Sequence, residues 1–409
     1  MASTLAILSL AVSRAVAQAS YSQRGDLEQL QPDLYTATDA AHVYAAQATA
    51  PTYAGQPKYV PGKAFDRFIE IWLENTDYDK AAGDPKRASL CQITLVSRIH
   101  RNLIMLLPWE GTTLVWTMMT SVLASNVIED KGISWGTYQE DMPFTGFEGF
   151  AWKNQKTGAN DYVRKHNPPV IYNANTSPRR LSYQKNTTVF HEDVKAHRLP
   201  QWSFITPNMT SDGHDTTVTV AGTWCRDFLE PLLNHSYFMD RTLVLLTFDE
   251  NHTYNIGNRV FSILLGNAVP ENLHGTTDKQ FYNHYSDIAT VEANWNLHTL
   301  GRWDVGANVF KLVADHTGDV YRPWDAVTGV NETVFLNSSF AGPFKTAFES
   351  APYPILNVNA VSPKPGRTVL PSIQKAYSAS RASTYYNHGV EIPDGQHPPK
   401  GYAVNIADN

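Results

Sequence analysis

The sequence predicts an α/β fold built on a mostly parallel sheet, and three observations carry that prediction. Eight residues, Arg241 to Phe248, form a continuous apolar, β-rich run that stops at Asp249-Glu250-Asn251-His252. A run of branched and aromatic residues this long reads as a strand covered on both faces, as in a parallel sheet. The pattern recurs where Phe68 to Leu73 runs into Glu74-Asn75-Thr76-Asp77. Between residues 64 and about 345, strand-like runs then alternate with amphipathic ones, the arrangement expected of helices packed on a parallel sheet.

Taken in order, the chain opens with the apolar stretch Thr4 to Val12, followed by the small-x-small triplets Ala15-Val16-Ala17 and Ala17-Gln18-Ala19. Residues 1–19 therefore read as a secretory signal peptide. Residues 20–60 are rich in Ala, Gln, Ser and Tyr with little periodicity, a polar lead-in that wraps the surface. A main domain follows over 61–349, with strands expected near 68–73, 133–138, 202–205, 242–248 and 260–265. Helices are expected at 217–233, at 286–297 with Ser286-Asp287 as the cap, and at 307–315 closed by Gly318. Over 350–409 Pro, Ser and Gly rise and periodicity fades, so this reads as a loop-rich tail.

Composition narrows the function. A net charge of -6 and the absence of a basic run argue against a nucleic-acid surface. Nothing after the first twenty residues is long and apolar enough to span a membrane. Seven Asn-x-Ser/Thr sequons, at Asn175, Asn186, Asn208, Asn234, Asn251, Asn331 and Asn337, point behind a signal peptide to an extracellular glycoprotein. Asn251 is expected to stay unmodified, because it lies inside the proposed site. Only Cys91 and Cys225 are present, which rules out a disulfide framework. Oligomeric state has no signature in the sequence.

Ligands of open parallel sheets bind at the carboxyl ends of strands. Both strand ends noted above offer acids beside an amide. A third cluster, Asp212-Gly213-His214-Asp215, follows the short strand Trp202 to Ile205, and His284 precedes a helix. Each cluster alone is as compatible with a solvated turn or a capping residue. Together, Glu74, Asn75, Asp212, His214, Asp215, Asp249, Glu250 and His284 form an oxygen-rich set with two imidazoles. Such a set suits a hard or borderline divalent cation, with no identity specified. The cation would act as a Lewis acid toward a phosphoryl oxygen while a histidine protonates the departing alcohol.

Glu74-Asn75-Thr76-Asp77-Tyr78, Ser211-Asp212-Gly213-His214-Asp215, Phe248-Asp249-Glu250 and His284-Tyr285-Ser286 resemble the motifs of the fungal secreted acid phosphatases of the phosphoesterase family. These are relatives of bacterial phospholipases C within the alkaline-phosphatase-like superfamily. The resemblance covers roughly residues 60–85 and 128–345. It implies an alkaline-phosphatase-like α/β/α sandwich and hydrolysis of small phosphate monoesters. Glu74, Asn75, Asp249 and Glu250 would sit at the metal and phosphate site, with Asp212 contacting substrate and His214, Asp215 and His284 as the candidate catalytic groups. The rival expectations are a phosphodiesterase or phospholipase C-type hydrolase, and a glycoprotein that binds phosphate compounds without catalysis.

One stretch departs from the resemblance. Between the first two motifs the family carries Thr-His-Pro-Ser-Glu-Pro-Asn-Tyr, which is absent from residues 86 to about 125. Ser97 to Met105 can be encoded TCA CGC ATC CAT CGG AAC CTA ATT ATG. Read from one nucleotide before each codon, that string gives ACG CAT CCA TCG GAA CCT AAT TAT, the missing motif. Residues 86–125 are therefore read as frame-shifted. Ser97, His100, Thr112 and Thr113 lie in this stretch, match no family motif and are assigned no role. The nucleophile is left unassigned, and the chain as printed is expected to have little activity.

Overall fold

In a computed structural model of the chain, residues 39–84, 95–100, 127–253, 259–319, 338–340, 356–379 and 404–406 are described. The expected signal peptide, sequons Asn331 and Asn337, and the 86–125 reading apart from residues 95–100 lie outside them.

The centre is an eight-stranded sheet in the order β10-β2-β9-β8-β1-β7-β3-β6. Its strands are β1 (Arg67–Leu73), β2 (Leu95–His100), β3 (Trp135–Gln139), β6 (Gln184–Asn186), β7 (Trp202–Thr206), β8 (Thr242–Phe248), β9 (Arg259–Leu265) and β10 (Thr277–Tyr282). A separate hairpin pairs β4 (Ala151–Lys153) with β5 (Asn160–Val163). The block β6-β3-β7-β1-β8 is parallel, and within the sheet β9 alone runs against the rest. The backbone of residues 95–100 takes the place between β9 and β10.

Two apolar layers cover the sheet, and the strand alternation sorts them. Phe68, Trp72, Trp202, Phe204, Leu243 and Leu245 face one side, where they meet helix α5 (His284–Trp295) and helix α6 (Lys311–Thr317). Ile69, Ile71, Leu73, Ile205, Val244 and Leu246 face the other, against α3 (Thr187–Lys195) and α4 (Val218–Leu233). This is the α/β/α sandwich expected, because strands buried on both faces leave no polar alternation in the sequence. All seven residues of β8 are buried, which is why its boundaries match the sequence reading.

Other boundaries move for local reasons. Helix α5 starts at His284, before the expected Ser286-Asp287 cap, because Asn283 is the N-cap: its side chain accepts from Tyr285 N at 2.9 Å. Ser286 instead returns the favour, its hydroxyl accepting from Asn283 N, which completes a capping box. Helix α6 begins at Lys311 and ends at Gly318, whose φ of 75° supplies the left-handed turn that closes a helix. The lead-in contains α1 (Ala40–Thr49), whose Val43 and Ala46 pack under Met142 and Phe144. Helix α2 (Tyr78–Gly83) follows β1, and α7 (Pro371–Tyr377) lies in the tail. Among the described residues no helix is long and apolar enough to cross a membrane.

Candidate active site

β1 lies between β7 and β8, so three sequence-distant loops leave neighbouring strands at one end of the sheet. The ladder does not stop where the strands do. Asp249 N donates to Leu73 O at 3.0 Å, and Thr76 N donates to Glu250 O at 3.0 Å. Side chains add a third link, with Asn75 Nδ2 donating to Glu250 Oε1 at 3.0 Å. The two strand-end acid-amide pairs expected from the sequence are thus joined directly.

The loop after β7 is held to the same edge by Glu74 N donating to Asp212 O at 3.1 Å. Asn208 shapes it: its side chain accepts from Thr210 N and Ser211 N, and its carbonyl accepts from Asp212 N. Gly213 has φ of 96°, a conformation that a side chain would strain, and this reversal lets His214 N donate to Asp212 Oδ1 at 2.8 Å. Asp212 is thereby fixed and fully buried, facing Glu74.

A residue that the sequence reading missed completes the cluster. His166 places Nε2 3.1 Å from Glu74 Oε1 and Nδ1 3.5 Å from Asp212 Oδ2. It ends a single 3-10 turn, Arg164–His166, that follows β5, and no apolar strand run announces it. The signal available was the run Lys165-His166-Asn167-Pro168-Pro169, in which two prolines fix the backbone after a histidine. Ligand atoms of Glu74, His166 and Asp212 all lie within 4.8 Å of one another, and all three residues are buried.

Burial decides their protonation. It pushes the Glu74 carboxyl up, helped by the neighbouring Asp212, and pushes Asp212 up as well. The same burial holds the His166 imidazole well below its ordinary range, helped by nearby Lys165. All three groups therefore favour their uncharged forms. Asp212 Oδ2 is buried with no hydrogen-bond donor among the described residues, and His166 Nδ1 lies 3.5 Å from it. A buried carboxylate oxygen without a donor, beside a second carboxylate and an imidazole, fits a divalent cation.

The remaining expected residues divide. His214 is half-exposed at the mouth, its ring 6.1 Å from that of His166, and its Nδ1 is 2.8 Å from Asp215 Oδ1. His284 is buried against Trp72, and its Nε2 donates to Asp249 O at 2.8 Å. The ring therefore lies at the end of β8, beside Asp249. Of the sequons, Asn234 is exposed and Asn186 and Asn208 are partly so. Asn175 is fully buried, against the expectation of an exposed glycosylation site, and Asn251 is also buried.

The family model for the phosphoesterase family matches residues 112–298. The chain is 46% identical to the phosphate-repressible acid phosphatase of Penicillium chrysogenum, over 75% of this chain and 76% of that one. It is 44% identical to a probable acid phosphatase of Kluyveromyces lactis, over 80% of each. An acid phosphatase of Aspergillus fumigatus is 41% identical over 82% of this chain and 77% of its own. Among solved structures, the phosphonate monoester hydrolase of Agrobacterium radiobacter is similar at a TM-score of 0.39 and 10% identity, covering 67% of this chain and 79% of that one. On the strength of the curated relatives, the chain belongs to the phosphoesterase family, among its fungal acid phosphatases.

Proposed function

We propose that the protein is a secreted acid phosphatase that hydrolyses small phosphate monoesters at the carboxyl end of β1, β7 and β8. The observation that carries this reading is the buried triad of Glu74, His166 and Asp212 set against the joined pair Asn75 and Glu250. The curated relatives bear the name acid phosphatase, which supports the same chemistry here. Secretion is supported by the apolar leader and by the exposed sequon at Asn234.

In this reading Glu74, Asp212 and His166 hold a divalent cation, with Asn75, Asp249 and Glu250 completing its surroundings. The cation, when bound, draws electron density from a phosphoryl oxygen and so stabilises charge that builds up at phosphorus. The chain's own groups do the rest. Lys165 is exposed beside the buried acids and attracts the anionic ester to the mouth. Asp215 holds Nδ1 of His214 and so orients the ring that delivers a proton to the departing alkoxide oxygen. His284 keeps Asp249 in place through its carbonyl. The attacking nucleophile is not among the described residues that this reading assigns.

The test is hydrolysis of para-nitrophenyl phosphate at acidic pH by two chains, the printed one and one with residues 86–125 restored to the alternative frame. Turnover by the restored chain and little by the printed one is expected. Faster turnover of bis-para-nitrophenyl phosphate than of the monoester would replace this reading with a phosphodiesterase. Binding of vanadate by the restored chain without turnover of either ester would replace it with a binding protein.

A further inference from the structure

At the opposite end of the sheet from the acids there is a cavity of about 370 Å³. It lies at the amino ends of β3 and β7, a strand length or roughly 15 Å from the acidic edge. Its walls include Tyr53, Lys58, Trp135, Arg179, Tyr183 and Arg198.

Two features set it apart from an incidental surface hollow. The first is an aromatic corner. Tyr183 makes edge contacts with both Tyr53, at 5.2 Å, and Trp135, at 5.3 Å, which leaves ring surface along one wall. The second is a surplus of cations, because the nearby carboxylates are already committed. Glu129 accepts from Trp135 Nε1 at 2.8 Å and from Arg180 through both of its oxygens. Asp193 is fully buried and accepts from Lys185 Nζ at 2.7 Å, from Tyr138 Oη at 2.8 Å and from Arg198. Even with Glu192, which also acts on Lys185, three acids stand against five cations, Lys58, Arg179, Arg180, Lys185 and Arg198. Lys58 has no carboxylate partner among the described residues, and its Nζ stands over Gly132, 3.8 Å from where a β-carbon would be. Arginine and lysine beside aromatic surface suit an anion with a flat body.

We propose that this cavity is a second binding site, separate from the acidic edge, for a small aromatic anion. The flat body lies against Tyr53, Tyr183 and Trp135, and the carboxylate, sulfonate or phosphate meets Lys58 and Arg179. The proposal does not depend on the phosphatase reading, since no residue of the acidic edge takes part.

The test is calorimetric titration of the full chain with naphthalene-2-sulfonate, which has no ester to hydrolyse, beside the uncharged naphthalene-2-methanol. Saturable binding of the sulfonate with Kd below about 1 mM is expected, with none of the alcohol. Arg179→Ala should weaken binding about tenfold, the typical loss for a hydrogen bond to a charged group, while Asp249→Asn should leave it unchanged. If Arg179→Ala does not fold, Lys58→Ala at an exposed position and Tyr53→Leu give the same readout. No saturable binding, equal binding of the alcohol, or binding that only Asp249→Asn abolishes would each overturn the proposal.

Discussion

His166 Nε2 lies 3.1 Å from Glu74 Oε1, so a 3-10 turn after the β4–β5 hairpin meets the end of the central strand. Removing the imidazole breaks the link between Glu74 and Asp212 at its midpoint. His166→Ala should lower kcat/KM of the frame-restored enzyme on para-nitrophenyl phosphate by about 10²–10⁴, the rate equivalent of the several kcal/mol that a Lewis-acid cation supplies and that losing one of its ligands removes. Unchanged far-ultraviolet circular dichroism would show that the loss is local. Activity within about threefold of wild type would remove His166 from the site.

Cation binding should appear in stability as well as in turnover. After dialysis against a chelator, adding Mn²⁺, Mg²⁺ or Zn²⁺ in turn should raise Tm for at least one ion. An ion that binds only the folded state contributes about 2.7 kcal/mol at a hundredfold excess over its Kd. Asp212→Asn, which replaces the oxygen that has no hydrogen-bond donor, should abolish the shift. A Tm that none of the ions moves would count against the triad as a cation site.

Glu70 gives the stability a pH slope. It sits buried in β1 with the indole nitrogens of Trp72 and Trp202 near its oxygens, at 3.4 and 3.3 Å, and burial pushes its pKa up to about 7 from 4.5. Because the folded value is the higher one, the folded state holds the proton more tightly. Its contribution is present in full below pH 4.5 and is lost as pH rises through about 7. The loss is on the order of 3 kcal/mol. Glu70→Gln should raise the urea midpoint at pH 8 and leave it nearly unchanged at pH 4. Equal effects at both pH values would show that packing, and not ionisation, governs the site.

Asp193 anchors the helix α3 side of the molecule by taking hydrogen bonds from Lys185, Tyr138 and Arg198. Lys185 is almost wholly buried, so Asp193→Ala strands a cation away from water. A loss of about 3–5 kcal/mol in chemical denaturation is expected, as for other broken buried pairs. Adding Lys185→Met should recover part of it. A loss below about 1 kcal/mol for the single change would mean that Lys185 finds water in the folded state.

The parts of this molecule that could be read from sequence are those whose cause is local. β8 matched because an unbroken apolar run has one reading between turn signals, and α4 matched because Thr217 caps an amphipathic stretch. Acids at the ends of β1 and β8 were legible for the same reason. What escaped depends on contacts from elsewhere. His166 has no apolar strand run before it, and its role comes from meeting Glu74 and Asp212 across 92 and 46 residues of chain, 166 less 74 and 212 less 166. His284 was legible only as a histidine before a helix, with a capping or core position left open. Only the fold shows that the ring is covered by Trp72 and tied to a carbonyl. Asn175 carried a valid sequon, but accessibility is set by packing that no tripeptide encodes.

The pairing of β1 with β8 continues into Asp249 and Thr76 without a break, so the ladder and the acids share one alignment. Sliding either strand by one residue would exchange inward and outward faces and bring Glu74 against the wrong partner. The acidic edge therefore has no half-assembled form: it exists when the central strands are in register and is gone when they are not. Hydrolysis by the frame-restored chain is in that sense a gauge of whether the middle of its sheet has folded correctly.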